Sequence, residues 1–323
     1  VLLTSGDDGA RWTDPAAVVD PGPGRRAFDP CLWHDPSGRL WWFWAQCGDN
    51  AYFDGRAGVW ALRAEPGTSR QAEPTWQGPM RIADGIMMNK PTVLSSGEWL
   101  LPVALWNHVQ GAPLRDNLAG HGGSGVVVST DDGETFAWRG AAPHVPDKSF
   151  DEHMVVERRD GSLWMLVRAR YGIAQCISHD GGRTWTEGGP TGIEGPNSRF
   201  FIRRLQSGRL LLVNHHRFTG RSHLTALLSE DDGQTWPASL LLDPRERVSY
   251  PDGVEAADGT IYVVYDHNRG DRWSPNNDRE ILFATFTERD VLAGECVSGA
   301  ARLRRVVSKI PDDVPVPPKA RTP

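Results

Sequence analysis

The 323-residue chain has only four cysteines, and none of them forms a Cys-x-x-Cys pair or clusters with histidines. A zinc site or a disulfide scaffold is therefore not expected. No stretch approaches the roughly 18 uninterrupted apolar residues of a membrane span. Neither a Walker-type P-loop nor a dinucleotide-binding glycine motif is present. We therefore expect no cofactor, no metal and no membrane partner.

The sequence also lacks an excess of positive charge. Its net charge is −6 and its isoelectric point is about 5.9, which argues against a nucleic-acid partner. The first residues show no basic region followed by an apolar stretch, so no signal peptide is predicted in this chain. Secretion or a periplasmic location stays compatible with the sequence, and neither location nor oligomeric state is assigned.

Turn-forming residues and tryptophan are abundant instead. The chain contains 35 glycines, 24 prolines and 14 tryptophans, and no long segment has the 3.6-residue period of a helix. This composition favours many short strands joined by tight turns.

One short pattern, S-x-D-x-G-x-T-W, recurs along the chain, and we call it the box. Its aspartate is expected to accept backbone N–H bonds, its glycine to take a positive φ, and its aromatic residue to pack between blades. The boxes are therefore predicted to be structural. The copies span Ser5–Trp12, Ser129–Phe136, Ser178–Trp185 and Ser229–Trp236.

A second pattern runs in phase with the box, namely a polar-Gly turn followed by an apolar strand. Together the two patterns define a four-stranded unit that repeats about every 50 residues, which is typical of a β-propeller blade. We expect the apolar strands to take equivalent places in successive blades. They include Leu40, Leu100, Leu163, Leu210 and Ile261.

Counting intact boxes and degenerate ones near Arg63 and Thr285 predicts an all-β, six-bladed β-propeller. Its first blade is expected to be incomplete or closed by a C-terminal strand near Leu303 to Val307. Residues 1–310 are predicted to form a single propeller domain, and residues 311–323 an extended proline-rich tail.

Three segments resemble the sialidase (neuraminidase) superfamily, in that family's order. The first runs from Glu152 through the Asp160-Gly161 turn to Arg168. The second contains Gly220-Arg221 ahead of a box, and the third contains Ser249-Tyr250 ahead of the Asp258-Gly259 turn. The family's Arg-Ile-Pro segment has no counterpart ahead of the first box, and Phe28-Asp29-Pro30 echoes it only loosely.

The resemblance implies that Glu152 and Tyr250 are catalytic, and that Arg168 and Arg221 bind a substrate carboxylate. We expect all four to converge at one end of the propeller's central channel. An arginine that ends an apolar strand, as Arg168 does, is costly to bury unpaired, which independently favours a functional or ion-paired role. Further candidate substrate contacts are His153, Asn89, Lys90, His216 and Asp252, and Asp266 is a candidate to hold an arginine or the tyrosine in place.

The leading hypothesis is an exo-acting glycoside hydrolase that cleaves a terminal, acidic sugar from a glycan. One alternative is a propeller polysaccharide lyase that uses His153 and Tyr250 at a uronic acid, with Arg168 and Arg221 neutralising the carboxylate. Another is a non-catalytic glycan-binding propeller. All three make a glycan or oligosaccharide the partner.

Overall fold

The computed structural model describes residues 1–48, 57–67, 74–105, 121–269 and 279–310. The predicted proline-rich tail, residues 311–323, lies outside this range. The chain divides into two compact units, one made of the described residues of 1–18 and 194–323, the other of those of 19–193. No helix among the described residues is long and apolar enough to cross a membrane.

The unit of residues 19–193 holds three antiparallel sheets. Sheet 1 consists of β1 (Arg26–His34), β2 (Leu40–Cys47), β3 (Gly58–Ala64) and β4 (Trp76–Asp84). Sheet 2 consists of β5 (Ile86–Met87), β6 (Thr92–Val93), β7 (Trp99–Leu105), β8 (Gly123–Ser129) and β9 (Ala137–Ala141). The two short strands β5 and β6 both pair with β7 and together take the place of a first strand. Sheet 3 consists of β10 (Met154–Glu157), β11 (Leu163–Ala169), β12 (Gly172–Ser178) and β13 (Gly189–Pro190).

The other unit holds two antiparallel sheets and a short helix. Sheet 4 consists of β14 (Phe201–Arg204), β15 (Leu210–His215), β16 (Leu224–Ser229) and β17 (Ala238–Asp243). Sheet 5 consists of β18 (Val248–Glu255), β19 (Ile261–His267), β20 (Glu280–Phe286) and β21 (Arg302–Lys309). The helix, α1 (Glu288–Ala293), connects β20 to β21.

The apolar strands predicted from the sequence are the second strands of the five sheets, which confirms their equivalence. Every residue of β7, β11 and β15 is buried. A strand buried on both faces has no polar face to expose, which explains why these segments are continuous apolar runs. The last strand, β21, alternates between half-buried and exposed residues, as expected at a sheet edge.

The predicted count of six blades is wrong, because the described residues form five. Each of the five sheets contains one of the last five box positions, intact or degenerate. The first box, at Ser5, has no sheet of its own, and its flanking residues pair through a single bridge between Leu2 and Ala17. The predicted closure of the first blade by the C-terminal strand is also wrong, since β21 pairs with β20 in sheet 5.

Each hairpin between the first and second strands has the same tight turn. The N–H of its glycine donates to a carbonyl three residues earlier, as Gly161 does to Arg158 and Gly259 to Ala256. All five glycines have positive φ, between 81° and 88°: Gly38, Gly97, Gly161, Gly208 and Gly259. Identical turns give the five hairpins the same register.

The boxes form the predicted structural turns. In the box of sheet 3, Ser178 Oγ accepts the N–H of Gly182 at 2.9 Å and donates to Asp180 Oδ1 at 2.8 Å. Asp180 in turn accepts the N–H and hydroxyl of Thr184. The aromatic residue of the first box, Trp12, packs edge-on against Phe283 of β20, with ring centroids 5.5 Å apart.

Helix α1 stands where sheet 5 would have its box, near the degenerate position at Thr285. It begins with a capping box in which Thr287 donates both its N–H and its hydroxyl to Asp290. Asp290, fully buried, also accepts the N–H groups of Val297 and Ser298 and the Ser298 hydroxyl. One carboxylate therefore organises the whole connection from β20 to β21.

Asp290→Ala should lower the free energy of unfolding by about 2–4 kcal/mol, because several buried donors lose their acceptor. Burial raises the pKa of Asp290, but hydrogen bonds from Ser298 and Thr287 outweigh it and lower the pKa to about 2. This stabilisation is therefore present above the ordinary aspartate pKa of 3.8 and is lost as the pH falls towards about 2. Urea unfolding measures the change, with the exposed Asp14→Ala as control. Equal stability of the two variants would contradict the stabilising role of Asp290 in the connection from β20 to β21.

Candidate active site

Four polar residues occupy one repeated position in the fold, nine residues before the glycine of the hairpin turn. They are Asp29, Glu152, Arg199 and Tyr250, in sheets 1, 3, 4 and 5. The hairpins share one register next to the turn, and these residues lie the same number of residues ahead of it, on the first strands of their sheets or just before them. Asp29 and Tyr250 lie where a bulge shifts the register of β1 and β18. Two of the four are the predicted catalytic residues, Glu152 and Tyr250.

Glu152 lies in a buried ion pair with the predicted Arg168. Both residues are less than 5% exposed, and Arg168 Nη1 donates to Glu152 Oε2 at 2.9 Å. The guanidinium of Arg168 also lies 5.1 Å from the ring centroid of Phe150. The pairing follows from the β10–β11 register, in which Met154 opposes Leu166, so that Glu152 and Arg168 come opposite each other.

Asn89 fixes the backbone on which Glu152 stands. Its side-chain amide is buried and donates to the carbonyls of Glu152, at 3.1 Å, and His153, at 2.8 Å. Lys90, the next residue, is half-buried. The amide of Asn89 thus connects the loop of sheet 2 with the start of sheet 3.

His153 is buried, and its ring contacts backbone carbonyls. Its Nε2 lies 2.6 Å from the carbonyl of Gly125, so this nitrogen carries the proton and donates it. Burial lowers the pKa of His153, which favours the neutral imidazole. The neighbouring Asp151 is also buried, accepts the Ser124 hydroxyl at 2.6 Å and pairs with Lys148 at 2.8 Å.

Tyr250 lies on a bulge of β18. The register between β18 and β19 shifts between Ser249 and Asp252, and Tyr250 takes a left-handed φ of 56°. Two guanidinium groups flank its ring: that of Arg269 lies 3.4 Å from the ring centroid and that of Arg221 lies 5.8 Å away. The half-buried tyrosine therefore stands in a cationic environment.

Hydrogen bonds fix Arg221 beside Tyr250. Arg221 Nη2 donates to the carbonyl of Asn197 at 2.9 Å, and its Nη1 lies 3.5 Å from Ser249 Oγ. Ser249 in turn donates to Asp266 at 2.6 Å, and Asp266 pairs with Arg269 at 3.2 Å. The hypothesis that Asp266 holds an arginine agrees with this ion pair.

The remaining predicted contacts lie around this second cluster. Asp252 faces the buried Arg199, with 4.0 Å between Oδ1 and Nη2. His216 is exposed, and its backbone N–H donates to the carbonyl of His223. The adjacent His215 is buried and binds the carbonyl of Val248 through Nε2 at 2.9 Å.

The structure thus brings the predicted residues together in two clusters, one in each compact unit. Glu152, Arg168, Asn89 and His153 form the first, and Tyr250, Arg221 and Asp252 form the second. Sequence reasoning missed Arg199 and Arg269. Counting nine residues back from Gly208 would have found Arg199, whereas no local pattern marks Arg269.

No group of three or more His, Cys, Asp or Glu side chains is arranged to hold a metal ion within the described ranges. The charged groups of both clusters are instead paired arginines and carboxylates, which suit an anionic or polar organic ligand.

Five repeated antiparallel sheets, three of them with an intact box turn before the last strand, define the protein as an all-β propeller of box repeats. The sequence pattern of the family described as the BNR repeat-like domain matches residues 1–263. The chain belongs to this family, and its relatives place it among the sialidase-like BNR propellers.

A sialidase of Micromonospora viridifaciens is 33% identical over 193 residues, which cover 54% of this chain but only 29% of the relative. The solved structure of a Dyadobacter fermentans protein of unknown function matches with a TM-score of 0.62 at 21% identity, over 88% of this chain and 82% of that one. The Hadza microbial sialidase Hz136 matches with a TM-score of 0.61 at 20% identity, over 81% of this chain and 56% of that one. These structural likenesses show the fold.

Arg168→Met should lower the free energy of unfolding by about 3–5 kcal/mol, because it leaves the Glu152 carboxylate buried without its partner. Adding Glu152→Gln should recover part of that loss, which a double-mutant cycle in urea measures. The control is Arg11→Met, which removes an exposed pair with Asp7 and should cost no more than about 1 kcal/mol. If Arg168→Met is no more destabilising than this control, Glu152 does not depend on Arg168 for compensation of its buried charge.

His215 should make the fold sensitive to mild acid. Burial lowers its pKa from 6.5 to about 4, opposed by the Val248 bond and reinforced by Arg221. Between these two pKa values His215 is protonated in the unfolded chain but neutral in the folded one. The free energy of unfolding should therefore fall by about 3 kcal/mol from pH 6.5 to pH 4. His215→Gln should flatten this part of the pH–stability curve, whereas the exposed His34→Gln should not. Parallel pH–stability curves for His215→Gln and the unaltered protein would refute the prediction that His215 causes the acid sensitivity.

Proposed function

We propose that this propeller is an exo-acting glycoside hydrolase of sialidase type, which removes a terminal acidic sugar from a glycan. Tyr250 is the nucleophile, Glu152 the base that takes its proton, and Arg168 and Arg221 bind the sugar carboxylate. The observation that carries the proposal is the placement of Tyr250. It stands beside Arg221 and occupies, in its sheet, the repeated position that Glu152 occupies in sheet 3.

The chemistry explains why a tyrosine suits this role. An acidic sugar with its carboxylate on the anomeric carbon repels an anionic nucleophile, and a neutral hydroxyl avoids that repulsion. As the hydroxyl oxygen attacks the anomeric carbon, its proton passes to Glu152 and the bond to the leaving glycan breaks. The leaving oxygen takes up a proton from solvent, and Glu152 later returns its own proton to solvent. Water then hydrolyses the glycosyl–tyrosine bond, which releases the saturated sugar and restores the hydroxyl.

Arginine is the suitable residue for the carboxylate. Its guanidinium stays charged at any working pH and offers paired donors that match two carboxylate oxygens. One nitrogen of Arg221 donates a hydrogen bond to the carbonyl of Asn197, and this bond fixes the orientation of the guanidinium.

The lyase alternative needs His153 as a base. In the structure, Nε2 of this residue donates to the Gly125 carbonyl, and the side chain is almost completely buried. These facts favour hydrolysis over elimination.

A substrate screen tests the proposal directly. Aryl sialosides, aryl glucuronides and uronate-containing oligosaccharides are incubated with the protein, and both aryl release and the ultraviolet absorbance of unsaturated uronate are followed. Aryl release without new absorbance supports a hydrolase. New absorbance would identify a lyase, and binding without either signal would identify a binding module.

Tyr250→Phe should reduce hydrolysis by at least about 10³-fold, because the attacking oxygen is removed. Glu152→Gln should reduce it by about 10²–10⁴-fold, since the general base is lost. Tyr171→Phe makes the same chemical change at an exposed tyrosine and should leave kcat unchanged. Rates are measured on whichever substrate the screen identifies, with circular dichroism to verify folding. Undiminished hydrolysis by folded Tyr250→Phe would rule out the tyrosine mechanism.

A further inference from the structure

The face of the Tyr250 ring is covered by an arginine that none of the sequence patterns marks. The guanidinium carbon of Arg269 lies 3.4 Å from the ring centroid, the distance of two planar groups in direct stacking. This is closer than each of the other described arginine–aromatic pairs, whose distances lie between 4.5 and 5.9 Å.

Arg269 is fixed where it stacks. Its Nε lies 3.2 Å from Oδ2 of Asp266, a residue only 6% exposed. The other oxygen of Asp266 accepts the hydroxyl of Ser249, the residue directly before Tyr250. Both the ring and the cation on its face are therefore tied to the same carboxylate.

The backbone contributes to the same arrangement. Tyr250 has a φ of 56° on the bulge of β18, and Asn268, directly before Arg269, has a φ of 58°. The N–H of Asn268 donates to the carbonyl of Arg247, which joins the two segments that carry the ring and the arginine. The stack is thus built into the fold from both sides.

We propose that Arg269 is a positioning residue for Tyr250, which holds the phenol ring by stacking and stabilises the phenolate that forms when its proton leaves. The catalytic consequence rests on the proposed role of Tyr250 as nucleophile, but the stabilisation of the phenolate does not. A positive charge within about 4–6 Å typically favours an ionised acid by about tenfold or more. Arg221, on the same ring at 5.8 Å, acts in the same direction.

The carboxylate of Asp266 opposes this effect in part, because it neutralises some of the charge of Arg269. Burial raises the pKa of Asp266 above the ordinary aspartate value, although the hydrogen bond from Ser249 and the charges of Arg269, Arg221 and Arg199 offset part of this effect. Asp252, paired with Arg199, is the other acidic group on the bulge. Among the described residues, the charged groups around Tyr250 thus include both these arginines and two carboxylates.

Spectrophotometric titration of the phenolate tests the proposal without any substrate. The chain has five tyrosines, so the difference between each protein and its Tyr250→Phe partner isolates the titration of Tyr250. The variants are Arg269→Gln, which removes the charge, and Arg269→Lys, which keeps the charge but not the planar group. The control is Arg302→Gln, which changes an exposed arginine of sheet 5 whose side chain donates to the carbonyls of Gly299 and Ala301.

Arg269→Gln should reduce the phenolate fraction of Tyr250 about tenfold at any pH on the rising part of the titration, and Arg269→Lys should reduce it less. Arg302→Gln should leave it unchanged. An unaltered titration in Arg269→Gln would overturn the proposal, as would equal shifts in the Gln and Lys variants or in the control. If Tyr250→Phe hydrolyses substrate normally while Arg269→Gln shows the shift, the proposed nucleophile fails and the positioning role of Arg269 stands.

Discussion

The five hairpin turns are the constraint on which the rest of the structure depends. In each, a glycine with positive φ closes the turn between the first and second strands, and the two strands are thereby locked in one register. Side chains alternate between the two faces of a strand, so a slip of one residue would turn every side chain to the opposite face. The shared turn places four polar residues at the same number of residues ahead of it in different sheets, namely Asp29, Glu152, Arg199 and Tyr250, and bulges shift the register at the first and the last of them.

The two clusters use charge in different ways. Glu152 and Arg168 neutralise each other in a buried pair, whose net contribution to stability is small because both charges lose their hydration. Around Tyr250, by contrast, two arginines approach the ring of a half-buried tyrosine. The first arrangement suits the fixing of a general base, and the second suits the attraction of an anion.

Local chemistry made most of the fold predictable. Glycine in a hairpin turn and the serine and aspartate of a box act within a few residues, so the sequence alone identifies them. The number of blades was not predictable in this way, because a box such as that at Ser5 forms its turn whether or not a sheet surrounds it. Nor does the sequence of β21 say which edge it joins, since strand pairing over long distances depends on the packing of the whole unit.

In the candidate site, too, contacts set by the local sequence were predictable and contacts between distant segments were not. The pairing of Glu152 with Arg168 follows from their places on either side of one hairpin, and both residues were predicted. Asn89 was predicted to contact substrate, but its amide is used to hold the backbone of Glu152 and His153 from a neighbouring sheet. Arg269 could not be found from its neighbours in sequence, because its place on the tyrosine ring depends on the bulge at Tyr250.

The left-handed backbone of Tyr250 has an evolutionary consequence. A bulky aromatic residue at a φ of 56° carries conformational strain of about 1–3 kcal/mol, which glycine or asparagine at the same position would largely relieve. Selection for a more stable protein therefore acts against tyrosine at this position. Relatives in which the phenol serves no purpose are therefore expected to carry glycine or asparagine at this bulge in place of tyrosine.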